Sequence, residues 1–446
     1  MEAYAPALFF TFLSPCRPAF SQPTWRFFQC YLWALLLAPG RHCLTGLYRV
    51  CFFLDRSLTS VERFLSEYQW DLMGAVSGVL SQLQRGLGDK LRIHGAYALV
   101  LDTALVAKTD GKMPGVQAWH DSSGNPDRGE RLVGHHWALG ALLSRWGDRF
   151  LAWPLVARLL SGQLNPCTWL VDPQGQIRAA TIWDVTLAVV FQMAVLLGGL
   201  PVDGGPALRV IADAFFSKSP FLNALLEKGF HLISQLRHDA VGWDDPPGYT
   251  GADPPQACGT KWKLRDLLTA CVPDEVRVCL YGKWSLVRCV VRDVWLRDVN
   301  RKVRVVVVEG IKRPVLLLST DLSLSAAAII DLYAARFTIE IAIRDLKQTF
   351  GLGDYQATTG IAILRFVHLC CLSFCVWRWL LLPDQAPHWL PATEAAAKDV
   401  TPLSFTRARR GLRRLVLERL LGHKSASEAD FSEPAWIDEA ILRLAA

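Results

Sequence analysis

The sequence predicts an α/β protein in which helices cover a mixed sheet. Three observations carry this. Near-continuous apolar runs, AYALVLDTALVAK at 96–108 and ALRVIADAFFSKS at 207–219, read as buried strands. Apolar residues spaced three and four apart, as in RSLTSVERFLSEYQWDLMGAVSGVLSQLQRGL, read as helices. The strand candidates first come as a group and then alternate with helices, the order of a mixed sheet covered by helices.

Along the chain, residues 1–90 read as mostly helical, with Ser57 or Thr59 as N-cap and Glu62 near the first turn. Strand candidates follow at 96–108, in GVQAWHDSSG and in HHWALGALLSRW. WDVTLAVVFQMAVLLGGL (183–200) is a buried helix ended by Gly198 and Gly199. Next come the strand at 207–219, a short helix in SPFLNALLEKGF and the strand HLISQLR. Residues 239–260 are rich in Pro, Gly and Asp and open an inserted segment that turns β-rich from 276 to 308. RPVLLLSTDLSL (313–324) is again a strand. A long helix is predicted from Ser325 to Phe350 and another from Ile361 to Leu382. The resulting division is 1–90 helical, 91–239 first part of the core, 240–312 β-rich insertion, 313–383 second part of the core, and 384–446 a basic tail.

A chain of 446 residues holds about three domains' worth of sequence. With 51% apolar and 20% charged residues it is not disordered as a whole, and it has neither a collagen period nor a sustained heptad. The net charge of +7 allows an anionic partner without demanding one. The 12 cysteines show no CxxC pair and no zinc spacing, and many lie in apolar surroundings such as LCCLSFCVW, as buried thiols of a reducing compartment do. The longest uncharged run, Val185 to Val202, contains Gln192, glycines and a proline; the segment 361–383 carries Arg365, His368 and Arg378. Both are expected to be buried helices, with no membrane as partner.

The most informative stretch is DLYAARFTIEIAIRDLKQTFGLGDYQ. At about 100° per residue, Arg336, Glu340 and Lys347 fall within about 60° of Tyr333, and Arg344 joins them on the other side. Leu332, Ile339, Ile343, Leu346 and Phe350 form a separate apolar face. An ordinary amphipathic surface helix with pairs such as Glu340–Arg344 explains this pattern. So does a metal-dependent phosphate site, in which the carboxylate ligates Mg²⁺ and the cations hold a polyanion. Two further acids favour the second reading: Asp102 interrupts an apolar strand and Asp213 follows Val-Ile-Ala at the end of another. An acid in such surroundings is costly unless partnered. Three acids from separate elements fit a two-metal phosphoryl-transfer site, whose ions stand about 3.5–4 Å apart.

Tyr333, Arg336, Glu340 and Lys347 satisfy Y-x2-R-x3-E-x6-K, which resembles the signature of a large group of bacterial insertion-sequence DDE transposases. The surroundings of Glu340, of Asp213 (VIADAFFSKSPFLNALLEKGFHLISQLR) and of Asp102 (VLDTALVAKTDGKMPGVQ, with GHH at 134–136) are similar to the three acid regions of that group over roughly residues 95–355. Phe337 stands where the group commonly has Trp. The resemblance implies a ribonuclease H-like core in which Asp102, Asp213 and Glu340 bind two Mg²⁺, with Mn²⁺ able to substitute. These ions would serve to activate water, then the freed 3′-hydroxyl, and to stabilise the leaving oxygen. It also implies that Arg336 and Lys347, with Arg344 beside them, contact DNA phosphates and that Tyr333 positions a phosphate or terminal base. The partner is double-stranded DNA, as element ends and target, bound by a homodimer in a bacterial cytoplasm at the nucleoid. Trp284 and Trp295 are candidates for stacking an extruded base, although core packing is the commoner role.

Outside the signature, His135 and His136 read as satisfied structural histidines. The segment 407–424 carries six Arg and one Lys against one Glu; Arg407, Arg410, Arg414 and Lys424 form either a DNA-binding or a solvated face. Because backbone contacts carry no sequence information, end recognition is expected outside the core, first in residues 1–90. A DNA-binding remnant or repressor that has lost transposition is the alternative to an active transposase.

Overall fold

The computed structural model describes residues 5–51, 54, 56–109, 113–120, 131–160, 169–171, 177–179, 181–251, 255, 259–310, 313–390 and 403–429. Cys167, Cys258, residues 121–124 of one strand candidate, and parts of the 239–260 loop and the tail lie outside them, as does the side chain of Lys424.

The N-terminal region folds as α1 (Ala7–Leu13), α2 (Gln22–Leu37), α3 (Leu44–Arg49), α4 (Leu58–Ser66) and α5 (Leu72–Leu87). Strands β1 (Arg92–Ile93), β2 (Ala96–Ala107), β3 (Gln117–His120), β4 (Arg131–Trp146) and β5 (Arg149–Leu159) follow, then a separate pair, β6 (Trp169–Val171) and β7 (Ile177–Ala179). Next, α6 (Ile182–Leu197), β8 (Leu208–Ile211), α7 (Ser219–Glu227) and β9 (His231–Gln235) alternate. The insertion holds β10 (Val241–Trp243), β11 (Lys261–Lys263), α8 (Leu267–Ala270), β12 (Asp274–Leu280), β13 (Lys283–Val294) and β14 (Val303–Val308). The chain continues through β15 (Val315–Ser319), α9 (Ala326–Ala335), α10 (Phe337–Gln348), α11 (Gly360–Leu380) and α12 (Phe405–Ala429).

One mixed sheet organises the molecule. Its order is β12-β13-β14-β15-β9-β8-β2-β4-β3, with β1 on β2 and β5 on β4. Within it, β5, β4 and β2 are antiparallel neighbours, whereas β2, β8 and β9 run parallel. This order fits the ribonuclease H-like core expected from the sequence. Of the strands of the β-rich insertion, β12, β13 and β14 join the same sheet through β15, whereas β10 and β11 form a separate pair.

Three expectations change. The sequence reading has no strand at 149–159, where β5 forms with Pro154 inside it. Proline removes a ladder donor and is tolerated on edge strands and at bulges. Here β5 pairs only with β4, and the register slips between Gly140 and Ala141, opposite Val156 and Pro154. Second, the helix predicted from Ser325 to Phe350 is two helices meeting at Arg336, whose amide donates to Tyr333 O (3.0 Å) while its carbonyl accepts from Ile339 N (3.1 Å). These three-residue steps tighten the turn. Third, of the two N-cap candidates it is Ser57 that caps α4, accepting from Ser60 N at 3.3 Å.

Helices bury both faces of the sheet. α11 is the central one, packed between α2 and β5. Arg365 Nη1 donates to Leu65 O (2.9 Å) although its buried Nε has no partner among the described residues, His368 Nδ1 donates to Leu364 O (2.8 Å), and Arg378 pairs with Asp345 (3.4 Å). Ser373 and Trp377 both donate to Leu32 O in α2. α2 buries eleven of its sixteen residues, so the N-terminal helices are part of the common core. Among the described residues two stretches, Ile182–Asp203 and Gly360–Leu380, are long and apolar enough to cross a membrane; 83% of the second's apolar window is buried in the protein, as the sequence predicts, but 33% of the first's, so α6 is less buried than expected. α6 ends at Gly198 in the left-handed region (φ 116°), as the sequence predicts, and begins with a capping box between Thr181 and Asp184. The ten described cysteines are free thiols, eight of them buried.

One buried ion pair ties the sheet to the helices. Arg209 in β8 donates to Asp321 Oδ2 (2.8 Å) and to the carbonyls of Ile93 (3.0 Å) and His94 (2.9 Å). Asp321 lies between β15 and α9, and both side chains are almost fully buried. Burial alone would raise the Asp321 pKa, but the Ser323 hydroxyl and amide and the Arg209 charge outweigh it and hold it at about 2.

Candidate active site

β2 is buried on both faces from Ala96 to Leu101, and exposure begins at Asp102. β8 is wholly buried and is followed by buried Ala212 and then half-buried Asp213. Both acids therefore stand where parallel strands leave the core, the customary place for ligands in open α/β sheets. The register brings them together. Val100 pairs with Ile211 and Ile211 with Ile233. Two residues past these pairs stand Asp102, still within β2, Asp213, which has left β8 and caps a 3-10 turn at Ala214–Phe216 where the sequence predicts continued strand, and Gln235 at the end of β9.

α9 and α10 carry the remaining site residues. Tyr333 donates its hydroxyl to Gln235 Oε1 (2.9 Å). Arg336 pairs with Glu340 at 2.6 Å and interacts electrostatically with Asp102 and Asp213. Glu340 also acts on both aspartates. Lys347 donates from Nζ to Leu105 O on β2 (2.9 Å), three residues beyond Asp102. Arg344 instead bonds to Asp345, which Arg378 of α11 also holds. The expected pair Glu340–Arg344 is thus replaced by Arg336–Glu340. Spacing by four allows either pair, and the two aspartates on one side and Asp345 on the other decide between them. Gln235 carries no signal of its own in the sequence; only the alignment of β9 with β8 reveals it.

Burial pushes the Asp102 carboxyl up to about 6 against the Thr103 amide and Arg336, and Asp213 and Glu340 push the same way. Burial also raises Asp213, opposed by the Phe215 amide and Arg336. Such mutual repulsion among buried acids is relieved by a bound cation. As the side chains stand, however, no three His, Cys, Asp or Glu among the described residues are grouped closely enough to hold a metal ion. The expected ligand set is open because each acid is turned onto a protein donor. Asp102 Oδ1 accepts from Thr103 N (2.7 Å), Asp213 Oδ1 from Phe215 N (3.0 Å) and Glu340 from Arg336. Their carboxylate oxygens are the donor type that a hard divalent cation takes.

The two histidines are structural, as expected. His135 Nε2 meets only an acceptor, Pro114 O (2.9 Å), so it carries the proton. Nδ1 then accepts from the Tyr355 hydroxyl (2.7 Å), which accepts from Trp137 Nε1 (3.1 Å). Burial holds His135 and His136 neutral, with pKa values near 4. Lys108 donates to Gly353 O (2.6 Å) and Tyr355 O (2.7 Å) and lies over the Tyr355 ring. This network pins the segment after α10 to the strand that carries Asp102. Tyr355→Phe leaves the Trp137 and His135 nitrogens without their partner and is expected to cost about 1–3 kcal/mol, read from the urea midpoint.

Of the two tryptophans, Trp295 is 5% exposed and donates to Asp245, whereas Trp284 is 51% exposed with Arg277 over its ring. Phe337 is exposed and packs edge-on against Tyr281 of the β12–β13 turn at 6.1 Å.

Two family models match the chain. The family model of the DDE superfamily endonucleases matches residues 15–272, more than half of the chain. The chain belongs to this superfamily. A second family model, the transposase DDE domain, matches residues 176–376 and so includes Asp213 and Glu340. The chain is therefore a nuclease-type enzyme with DNA as its substrate, and DDE superfamily enzymes generally use divalent metals. Among curated proteins, none matches it.

Proposed function

We propose that this chain is the cut-and-paste transposase of a bacterial insertion sequence, of the group marked by Y-x2-R-x3-E-x6-K. The observation that carries the reading is the convergence of Asp102 in β2, Asp213 just past the adjacent parallel strand β8, and Glu340 of α10, which act on one another electrostatically. These three side chains would hold two Mg²⁺, or Mn²⁺ in their place. Bound there, the ions would supply activation of the attacking hydroxyl and stabilisation of the leaving oxygen.

The protein's own groups do the rest. Arg336 balances the three acids and is placed to donate to a phosphate oxygen brought beside it. Tyr333, oriented by Gln235, presents a fixed ring and hydroxyl at the far end of the site. Lys347, bonded to Leu105 O three residues beyond Asp102, marks the Asp102 end. Arg344, drawn toward Asp345, contacts DNA further from the acids. The substrate is double-stranded DNA, as element ends and then target, held by a homodimer in the bacterial cytoplasm. The catalytic core comprises 91–239 and 313–383, with 1–90, 240–312 and 384–446 supplying the remaining contacts to DNA.

The test is nicking of supercoiled plasmid by purified protein in Mg²⁺. Wild type is expected to nick; equal nicking by Glu340→Gln would refute the assignment. Lys347→Ala is expected to lower the salt slope of DNA binding by about one unit, the value for one lost phosphate contact. A filter-binding titration across salt concentrations reads it.

A further inference from the structure

The arginines of α12 stand in a particular place. The helix buries Phe405, Ala408, Leu412, Val416 and Leu420. Phe405 packs edge-on against Phe350 (4.9 Å) and lies 5.0 Å from Phe374, which fixes α12 against the end of α10 and against α11. Arg409 donates from Nε to Leu36 O and from Nη2 to Thr349 O, both at 2.7 Å, and Arg413 reaches Leu37 O at 3.4 Å. These carbonyls lie at the C-terminal ends of α2 and α10, where the helix dipole is negative. The inner pair of arginines thus docks the helix. Beside it, exposed Arg410 and exposed Arg414, which pairs with Glu418 at 2.8 Å, complete a groove of about 510 Å³ that holds four arginines and one acid.

We infer that this groove is a second phosphate-binding surface, which takes duplex DNA lying beyond the three acids. The inference rests on the transposase reading above. Its position follows from α10: Glu340 and Thr349 are nine residues apart, or about 14 Å along the helix, roughly four base pairs of duplex. Lys347 lies between them on the same helix. The charge is one-sided: a face serving only solubility intersperses both signs, whereas here four cations meet one carboxylate. The outer pair, Arg410 and Arg414, carries the planar fork that pairs with phosphate in bidentate fashion, while the inner pair adds its charge. α12 from Thr406 to Leu421 is about 22 Å long, enough to follow about six base pairs.

The test measures binding of a 30-base-pair duplex to the full chain across a series of salt concentrations. The double variant Arg410→Ala with Arg414→Ala is expected to lower the slope of log affinity against log salt by about two units, at about 0.9 per phosphate. The double variant Arg410→Lys with Arg414→Lys keeps the charge and is expected to keep most of the slope. Thermal melts matching wild type show that the fold is intact. An unchanged slope in the alanine variant, while wild type binds and nicks DNA, overturns this inference alone. A wild-type protein that neither binds nor nicks DNA overturns the transposase reading instead. Loss of binding to polyglutamate, with duplex binding unchanged, would assign the groove to an acidic polypeptide and overturn the proposal.

Discussion

Asp102→Asn, Asp213→Asn and Glu340→Gln are each expected to lower Mg²⁺-dependent cleavage by about a thousandfold or more while leaving DNA binding largely intact. Losing one carboxylate from a two-metal site removes several kcal/mol of transition-state stabilisation, and each 1.4 kcal/mol is about tenfold in rate. Binding persists because Lys347 and the α12 arginines lie outside the group of three acids. Glu340→Gln also leaves Arg336 without its 2.6 Å partner, so it is the variant expected to affect binding most among the three. Plasmid nicking together with a gel shift on the same preparation separates the two effects.

Asp321→Ala is expected to have the largest effect on stability. It leaves Arg209 buried without its charge partner, and breaking a buried pair in this way costs about 3–5 kcal/mol. The pair joins β8, which leads to Asp213, to the start of α9, which leads to Glu340, so its loss also loosens the alignment of the site. The pH dependence follows from the depressed Asp321 pKa. A carboxylate held below its unfolded value stabilises the protein fully above about pH 4, and that contribution is lost as pH falls toward about 2. Urea midpoints of wild type should therefore fall across that window, and those of Asp321→Ala should fall less.

Much of the site is legible in the sequence because its residues break local patterns. Asp102 interrupts a strand that is apolar on both faces, Asp213 ends another, and Tyr333, Arg336, Glu340 and Lys347 share one side of a helix. What periodicity cannot supply is register. That Asp102, Asp213 and Gln235 come together depends on how β2, β8 and β9 align and on the turn that Asp213 caps, which are tertiary facts. The same holds for the partner of Glu340, where Arg336 and Arg344 are equivalent by spacing and differ only in what surrounds them. β5 is hidden for a local reason: Pro154 argues against a strand until the edge position and the bulge opposite Gly140 and Ala141 are known. The buried row of α2 shows the reverse case. Its helical pattern is plain, but only packing against α11 shows that residues 1–90 belong to the core.

The central claim is that Asp102, Asp213 and Glu340 together form one cation site. Iron-directed cleavage tests it most directly. With Fe²⁺ in place of Mg²⁺, and ascorbate and peroxide added, hydroxyl radicals cut the polypeptide next to the bound ion. The expected result is three sets of fragments, with ends near residues 102, 213 and 340, suppressed by excess Mg²⁺ and lost in Glu340→Gln. Cuts elsewhere in the chain, or an unchanged pattern in Glu340→Gln, would contradict it.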